Sequence, residues 1–275
     1  MRDRQLSSRS RYLKSAALAL GALALTGAYA AQGQYTTRFE SGVVASLASS
    51  HAPNPDSTEG RVAATVIATA TDRAIAALAD AVEPLSSPLA LEDAFRSYFA
   101  FKTAHPDEVR KPYLYFVDYG LPSTARRGYV FDMSSLKVLE GPFTVAHGRG
   151  SAPSKYGVPT RFSNDIGSEA TSLGLYVAQN AYQFLGRSAG RFYHSIGLRL
   201  VGVSGDYNDN AFSRRVVAHG APDVTPTKAG RSEGCPAMEL SRAKRLLPKL
   251  AEGGMVFLFA PDSDWMTGDP WVAGE

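Results

Sequence analysis

Val216-Val217-Ala218-His219-Gly220, then, after ten residues, Arg231-Ser232-Glu233-Gly234-Cys235-Pro236: these two segments organise the reading of the whole chain. Cys235 is the only cysteine in 275 residues. It follows a glycine and precedes a run with helical spacing, and His219 closes an apolar run sixteen positions upstream. A thiol attacks as its thiolate, which is scarce at neutral pH when the pKa is about 8.5. A neighbouring imidazole takes the proton and later returns it to the leaving group. Small residues before the sulfur suit a tight turn whose N–H groups converge on a developing oxyanion. The pair therefore reads as a Cys/His acyl-transfer site. On spacing alone a second reading stays open, in which Cys235 is a small buried hydrophobe and His219 a satisfied core residue.

The same residues carry a family likeness. His219-Gly220 followed by Ser232-x-Gly234-Cys235 resembles the signature of L,D-transpeptidase catalytic domains, the YkuD-like family. The nearer likeness is to the murein L,D-transpeptidase branch, in which Pro follows the Cys. Further segments agree in order, among them Leu121-Pro122-Ser123-Thr124, Val145-Ala146-His147-Gly148-Arg149-Gly150, Arg161-Phe162-Ser163-Asn164, Asn208-Asp209-Asn210-Ala211 and Gly230-Arg231-Ser232. The likeness spans roughly residues 111–261. One departure stands out: many members carry an Arg two places after the Cys, where this chain has Ala237.

Composition bounds the rest. With 44% apolar content, 275 residues suffice for one good core and a small accessory region. Residues 1–30 carry a net charge of +4, which leaves −1 of the formal +3 for the remainder. That balance gives no reason to expect nucleic acid or an anionic membrane surface as a partner. Residues 1–30 read as a secretory signal peptide, with a basic start, an Ala/Leu run and Ala28-Tyr29-Ala30 at the cleavage position. The membrane is a partner only if that leader stays uncleaved. The expected location is periplasmic, in the cell envelope. In a secreted chain an unpaired cysteine reads as a reactive thiol, and one Cys with five scattered His gives no zinc spacing. Neither a metal nor a cofactor is expected.

Residues 31–60, broken by Gly, Ser and Pro, read as a flexible linker. Residues 61–110 read as an N-terminal helical segment: an Ala-rich helix over 61–82, then an amphipathic one over 87–103 with Ser87 as its cap and Leu91, Phe95, Tyr98 and Phe99 on the face it packs against the core. Residues 111–262 form the catalytic domain, with short strands at 113–119, 128–132, 137–139, 143–146, 173–178, 195–201, 215–219 and 255–259. A helix interrupts them over 238–251, with Pro248 inside it, and residues 263–275 are a tail. The fold class is mostly β with accessory helices, a sandwich or barrel like that of the L,D-transpeptidases, plus the N-terminal helices. The polar stretch 149–172 is long for a compact domain and is a candidate groove wall.

The roles follow. Cys235 is the nucleophile and His219 its base; the N–H groups of Gly234 and Cys235 form the oxyanion hole; Ser232 bonds near the pair; a carbonyl at or near Gly220 holds the second imidazole nitrogen. No carboxylate is required for that, although Asp223 and Glu233 are near in sequence. His147, which also precedes a Gly, is the rival base; by resemblance it is a substrate-facing or structural residue near the site. His194 is read as non-catalytic. Arg149, Arg161 and Arg231 are candidate clamps for substrate carboxylates, while Asn164 and Tyr182 enter as groove residues through the resemblance alone. The resemblance implies peptidoglycan stem peptides as donor and acceptor. Cys235 would attack the carbonyl of the L-centre of meso-diaminopimelate and pass the thioester to an amine. Two alternatives remain: an L,D-carboxypeptidase or other cysteine peptidase that trims stems, and a non-enzymatic cell-wall-binding module.

Overall fold

The structure is a computed structural model, and it describes residues 57–273. The expected signal peptide and nearly all of the expected linker lie outside those residues. Helix α1 (Thr58–Leu78) starts at Ser57, whose Oγ accepts the Gly60 N–H at 2.9 Å. It buries only Gly60, Thr71, Ala74 and Leu78, packing chiefly on α2 (Ala90–Ala104). The segment Thr58–Ala81 is long and apolar enough to cross a membrane by length and composition, and most of its surface is uncovered. Helix α2 begins three residues later than the sequence suggests, because residues 87–89 form a turn in which the Leu89 N–H bonds Ser87 Oγ. Its Phe95, Tyr98 and Phe101 are fully buried.

The β elements are β1 (Tyr113–Asp118), β2 (Gly128–Asp132), β3 (Lys137–Phe143), β4 (His147–Gly148), β5 (Gly174–Ser188), β6 (Arg191–Gly202), β7 (Val217–Ala221), β8 (Arg231–Ser232), β9 (Ala237–Glu239) and β10 (Met255–Phe259). Eight of them make one mixed sheet in the order β3-β2-β1-β10-β5-β6-β7-β9, and β4 pairs with β8 in a separate two-stranded ladder. The pairs β1–β10 and β7–β9 are parallel. Strand β10 reads Met-Val-Phe-Leu-Phe without alternation and is buried at every position, as a strand covered on both faces requires. Phe257 and Phe259 meet the ring of Trp265 at 5.8 and 5.7 Å. Trp265 belongs to α4 (Ser263–Gly268), so the expected C-terminal tail contains a helix; beyond it Trp271 packs edge-on against Phe101 at 5.1 Å.

Helix α3 (Leu240–Leu250) is shorter than expected, because residues 237–239 pair with β7 as β9. Ala243, Leu246, Leu247 and Leu250 form its buried stripe across β6 and β7. Pro248 falls within the last turn, and the helix still reaches Leu250.

The largest departure from the sequence reading is the β5–β6 hairpin. Both strands run well past their buried halves, paired as far as Ser188↔Arg191. The connecting residues Ala189 and Gly190 both have positive φ, 48° and 78°, as a twisted two-residue turn demands. Beyond the bulge at residues 178–181 the burial falls away, and Phe192 near the tip is 73% exposed. This outer half stands as a wall beside the strand that carries His219.

Candidate active site

Parallel pairing of β7 with β9 sets His219 opposite Ala237 and Gly220 opposite Met238. Between β8 and β9 the chain must reverse within residues 233–236, and Cys235 sits on that turn. Gly234 adopts φ +112°, and a Cβ there would lie 2.7 Å from the Ala170 carbonyl oxygen. Only glycine meets both conditions without strain. Ser232 closes the turn: its hydroxyl donates to the Cys235 carbonyl at 2.6 Å and accepts the Gly234 N–H at 3.3 Å.

The thiol is free and half-buried. The Val217 N–H points at Sγ at 3.5 Å, and Sγ lies 3.9 Å from the Arg215 carbonyl. Burial pushes the thiol up to about 11; the Val217 N–H and the Arg214 guanidinium pull the other way, and Glu233 adds to the rise. His219 is 7% exposed. Its Nδ1 lies 3.0 Å from the Gly220 carbonyl, with the Tyr193 hydroxyl at 3.4 Å. A carbonyl only accepts, so Nδ1 carries the proton and Nε2 keeps its lone pair. Burial lowers the imidazole pKa, against smaller upward effects of the Gly220 bond and of Asp223. In the resting site, then, both groups are neutral.

Cys235 and His219 line one open cavity of about 900 Å³. Of the residues singled out in the sequence, Ser232, Arg149, Arg231 and Tyr182 also line it. Arg149 is already engaged by Glu169 and lies 3.5 Å from Glu233. Tyr182 lies under the Arg199 guanidinium, 5.2 Å from ring centre. The stretch 149–172 contributes Ile166, Gly167 and Glu169 to the wall.

Three residues expected near substrate do not line the cavity, and for His147 this leaves the structural reading. His147 is fully buried, with Nδ1 3.1 Å from the buried Arg127 guanidinium and no partner for Nε2 among the described residues. Burial, then Arg127 and Arg231, lower its pKa to about 3, so it is neutral and structural. Arg161 is exposed and away from the cavity; its backbone N–H bonds the Ser151 carbonyl. Asn164 staples loops, donating to the Asp206 carbonyl and to Asp209 Oδ1 and accepting the Asn210 N–H.

Three contributors were not apparent from sequence. Phe184 stacks on the His219 ring, and Tyr193 reaches Nδ1, both from the hairpin. Arg214 donates to Ser163 O, Ser168 Oγ and Ala170 O at 2.8, 3.2 and 2.6 Å, and its Nη2 would lie 3.3 Å from a Cβ at Gly234. It holds the 163–170 loop and passes beside the turn that carries Cys235. The aromatic pattern Tyr182, Phe184, Phe192 around Ala189-Gly190 was the available signal for the hairpin; Arg214 gave none.

The family profile described as the L,D-transpeptidase catalytic domain matches residues 84–259. Among solved structures, an L,D-transpeptidase in complex with imipenem is 14% identical, over 54% of this chain and 59% of that one, with a TM-score of 0.33. An L,D-transpeptidase from Mycobacterium smegmatis is 15% identical, over 54% and 59%, with a TM-score of 0.32. A protein from Bdellovibrio bacteriovorus is 15% identical, over 56% and 52%, with a TM-score of 0.33. The chain thus spans between 52% and 59% of the length of these solved chains. No curated protein matches it.

Proposed function

Because the chain belongs to the L,D-transpeptidase catalytic-domain family, we propose that it is an exported cysteine L,D-transpeptidase acting on peptidoglycan stem peptides. The observation that carries this reading is that Cys235 and His219 line the same cavity, with His219 Nδ1 committed to Gly220. That commitment leaves Nε2 as the only ring nitrogen able to take a proton.

A thiol with a pKa of about 11 is ionised to roughly one part in 10⁴ at neutral pH. The proton must therefore move to His219 as the sulfur attacks, and general-base catalysis replaces a standing thiolate. Attack on the carbonyl of the L-centre of the stem's diaminopimelate gives a tetrahedral oxyanion. The Cys235 N–H has no protein acceptor among the described residues and is the available donor to it. The Gly234 N–H already meets Ser232 Oγ. Collapse breaks the amide C–N bond, His219 protonates the departing amine, and a thioester remains on Cys235. An acceptor amine then attacks, gives its proton to His219, and expels the thiolate, which recovers that proton. Water in place of the amine yields a trimmed stem instead.

The test incubates the purified protein and its Cys235→Ala form with disaccharide-tetrapeptides and reads product masses. A crosslinked dimer from the parent and none from the variant is expected. Trimmed monomer alone would make it a carboxypeptidase, and unchanged turnover by the variant would remove Cys235 from the chemistry.

A further inference from the structure

The cavity holds three carboxylates, Glu169, Asp223 and Glu233, against a larger number of cations. Glu169 and Glu233 both face Arg149. Asp223 is different. It has no hydrogen bond or ion pair to any described residue, yet it is half-buried. It lies two residues beyond the end of β7 and packs against Gly230, where a Cβ would come within 1.7 Å of its Oδ2. Room for the carboxylate is made by the absence of a side chain at position 230.

Asp223 is not the partner that orients the base, because His219 Nδ1 is taken by Gly220. It follows His219 by four residues on the same strand's continuation and lines the same cavity as His219 and Tyr193, and its charge acts on both rings. An uncommitted, partly desolvated carboxylate is costly unless a cation answers it. The second half-reaction brings such a cation. An alkylamine with a pKa of about 10 arrives as ammonium at neutral pH, and it must give one proton to solvent before its nitrogen can attack the thioester.

On the assignment of Cys235 and His219 as nucleophile and base, we propose that Asp223 docks the ammonium of the acceptor beside His219 and so sets the partition of the thioester between amine and water. In that step the new C–N bond forms as the C–S bond breaks. One ammonium proton goes to solvent before attack, and the second passes from the attacking nitrogen to Nε2 of neutral His219 and on to the departing sulfur. Asp223 binds the incoming group and exchanges no proton.

The experiment reads the two half-reactions separately in the purified full chain and in Asp223→Asn. Intact-protein mass spectrometry follows thioester formation from disaccharide-tetrapeptide, and product masses give the ratio of aminolysis to hydrolysis. Two added acceptors are compared: Nα-acetyl-lysine, cationic at neutral pH, and hydroxylamine, which is uncharged there. Loss of a charge-assisted contact predicts that Asp223→Asn lowers transfer to Nα-acetyl-lysine about ten-fold relative to hydrolysis, with the hydroxylamine ratio and thioester formation retained. Gly230→Ala, which displaces the carboxylate without removing its charge, should shift the ratio the same way. An equal fall for both acceptors would overturn the proposal, since Asp223 would then act only through His219, and so would an unchanged ratio. A fall in thioester formation that accounts for the whole loss would also overturn it. Failure of the parent chain to form any thioester would instead remove the enzymatic reading, and this proposal with it.

Discussion

The imidazole of His219 lies 4.5 Å from the ring of Phe184, centroid to centroid, with 25° between the planes. The ring is thus held from two directions, by its own strand through Gly220 and by the hairpin wall through an aromatic face. Stacking of this kind contributes about 0.5–1.5 kcal/mol beyond area burial. Phe184→Ala is expected to slow thioester formation about ten-fold at most, since an imidazole free to rotate loses orientation. Phe184 is only half-buried, so the thermal midpoint should shift little. Unchanged acylation would mean that the Gly220 contact alone is enough to hold the ring.

The protonation state of the thiol gives a second test. Its pKa is raised to about 11 and that of His219 lowered, so neither group is charged at pH 7. Alkylation of Cys235 by iodoacetamide should climb about ten-fold per pH unit from neutrality, as thiolate accumulates, and level off near the thiol pKa. A plateau between pH 6 and 8 would reveal a standing thiolate–imidazolium pair and contradict the neutral dyad.

Arg214 is expected to serve the nucleophile turn through position and charge. Arg214→Met keeps the apolar stem but removes donors to Ser163, Ser168 and Ala170. Each lost bond to a charged donor is worth roughly 1.5–3 kcal/mol. Amide hydrogen exchange should accelerate in residues 163–171, and the alkylation profile of Cys235 should move to higher pH, because the guanidinium now lowers the thiol pKa. Faster exchange with an unmoved profile would leave Arg214 a loop clamp only.

His147 makes an acid-stability prediction. Its pKa falls from 6.5 to about 3 on folding, because burial and the neighbouring Arg127 and Arg231 oppose its charge. The unfolded chain takes up the proton below about pH 6.5 while the folded one does not, so stability declines as pH drops through that window. The slope is at most about 1.4 kcal/mol per pH unit. His147→Gln, neutral at every pH and able to accept from Arg127, should remove this component. Urea midpoints measured from pH 3.5 to 7 should therefore diverge between the two proteins, and parallel curves would refute the assignment.

Much of the molecule is legible in its residues, and unevenly so. Strands β2 and β10 fall where their apolar runs place them, because a strand buried on both faces cannot tolerate polar interruption. Glycine at 234 and histidine at 219 announce themselves by residue type, since a positive φ and a proton acceptor leave few alternatives. The outer half of the β5–β6 hairpin does not announce itself. Burial alternates from Tyr182 to Ser188, but residue type does not follow it: Leu185 and Phe192 are 57% and 73% exposed, so the apolar pattern blurs and pairing between the two strands supplies the order. Residue type alone does not separate the two readings of His147 or reveal the partners of Asn164: a polar side chain can face a ligand or its own neighbours, and here one is sealed beside Arg127 and the other bonds neighbouring loops. Arg214 is invisible because its partners are mostly main-chain oxygens up to 51 positions away.

The parallel register of β7 against β9 has a consequence for variation. Ala237, two residues after Cys235, lies opposite His219 in this ladder, so the sheet and not the excursion that joins them sets how the two segments meet. That excursion turns at Thr225 and Lys228, with Pro226 and Thr227 exposed at its apex. Extra residues grafted at this apex, which lies outside the cavity lining, would leave that pairing and the geometry it sets unchanged.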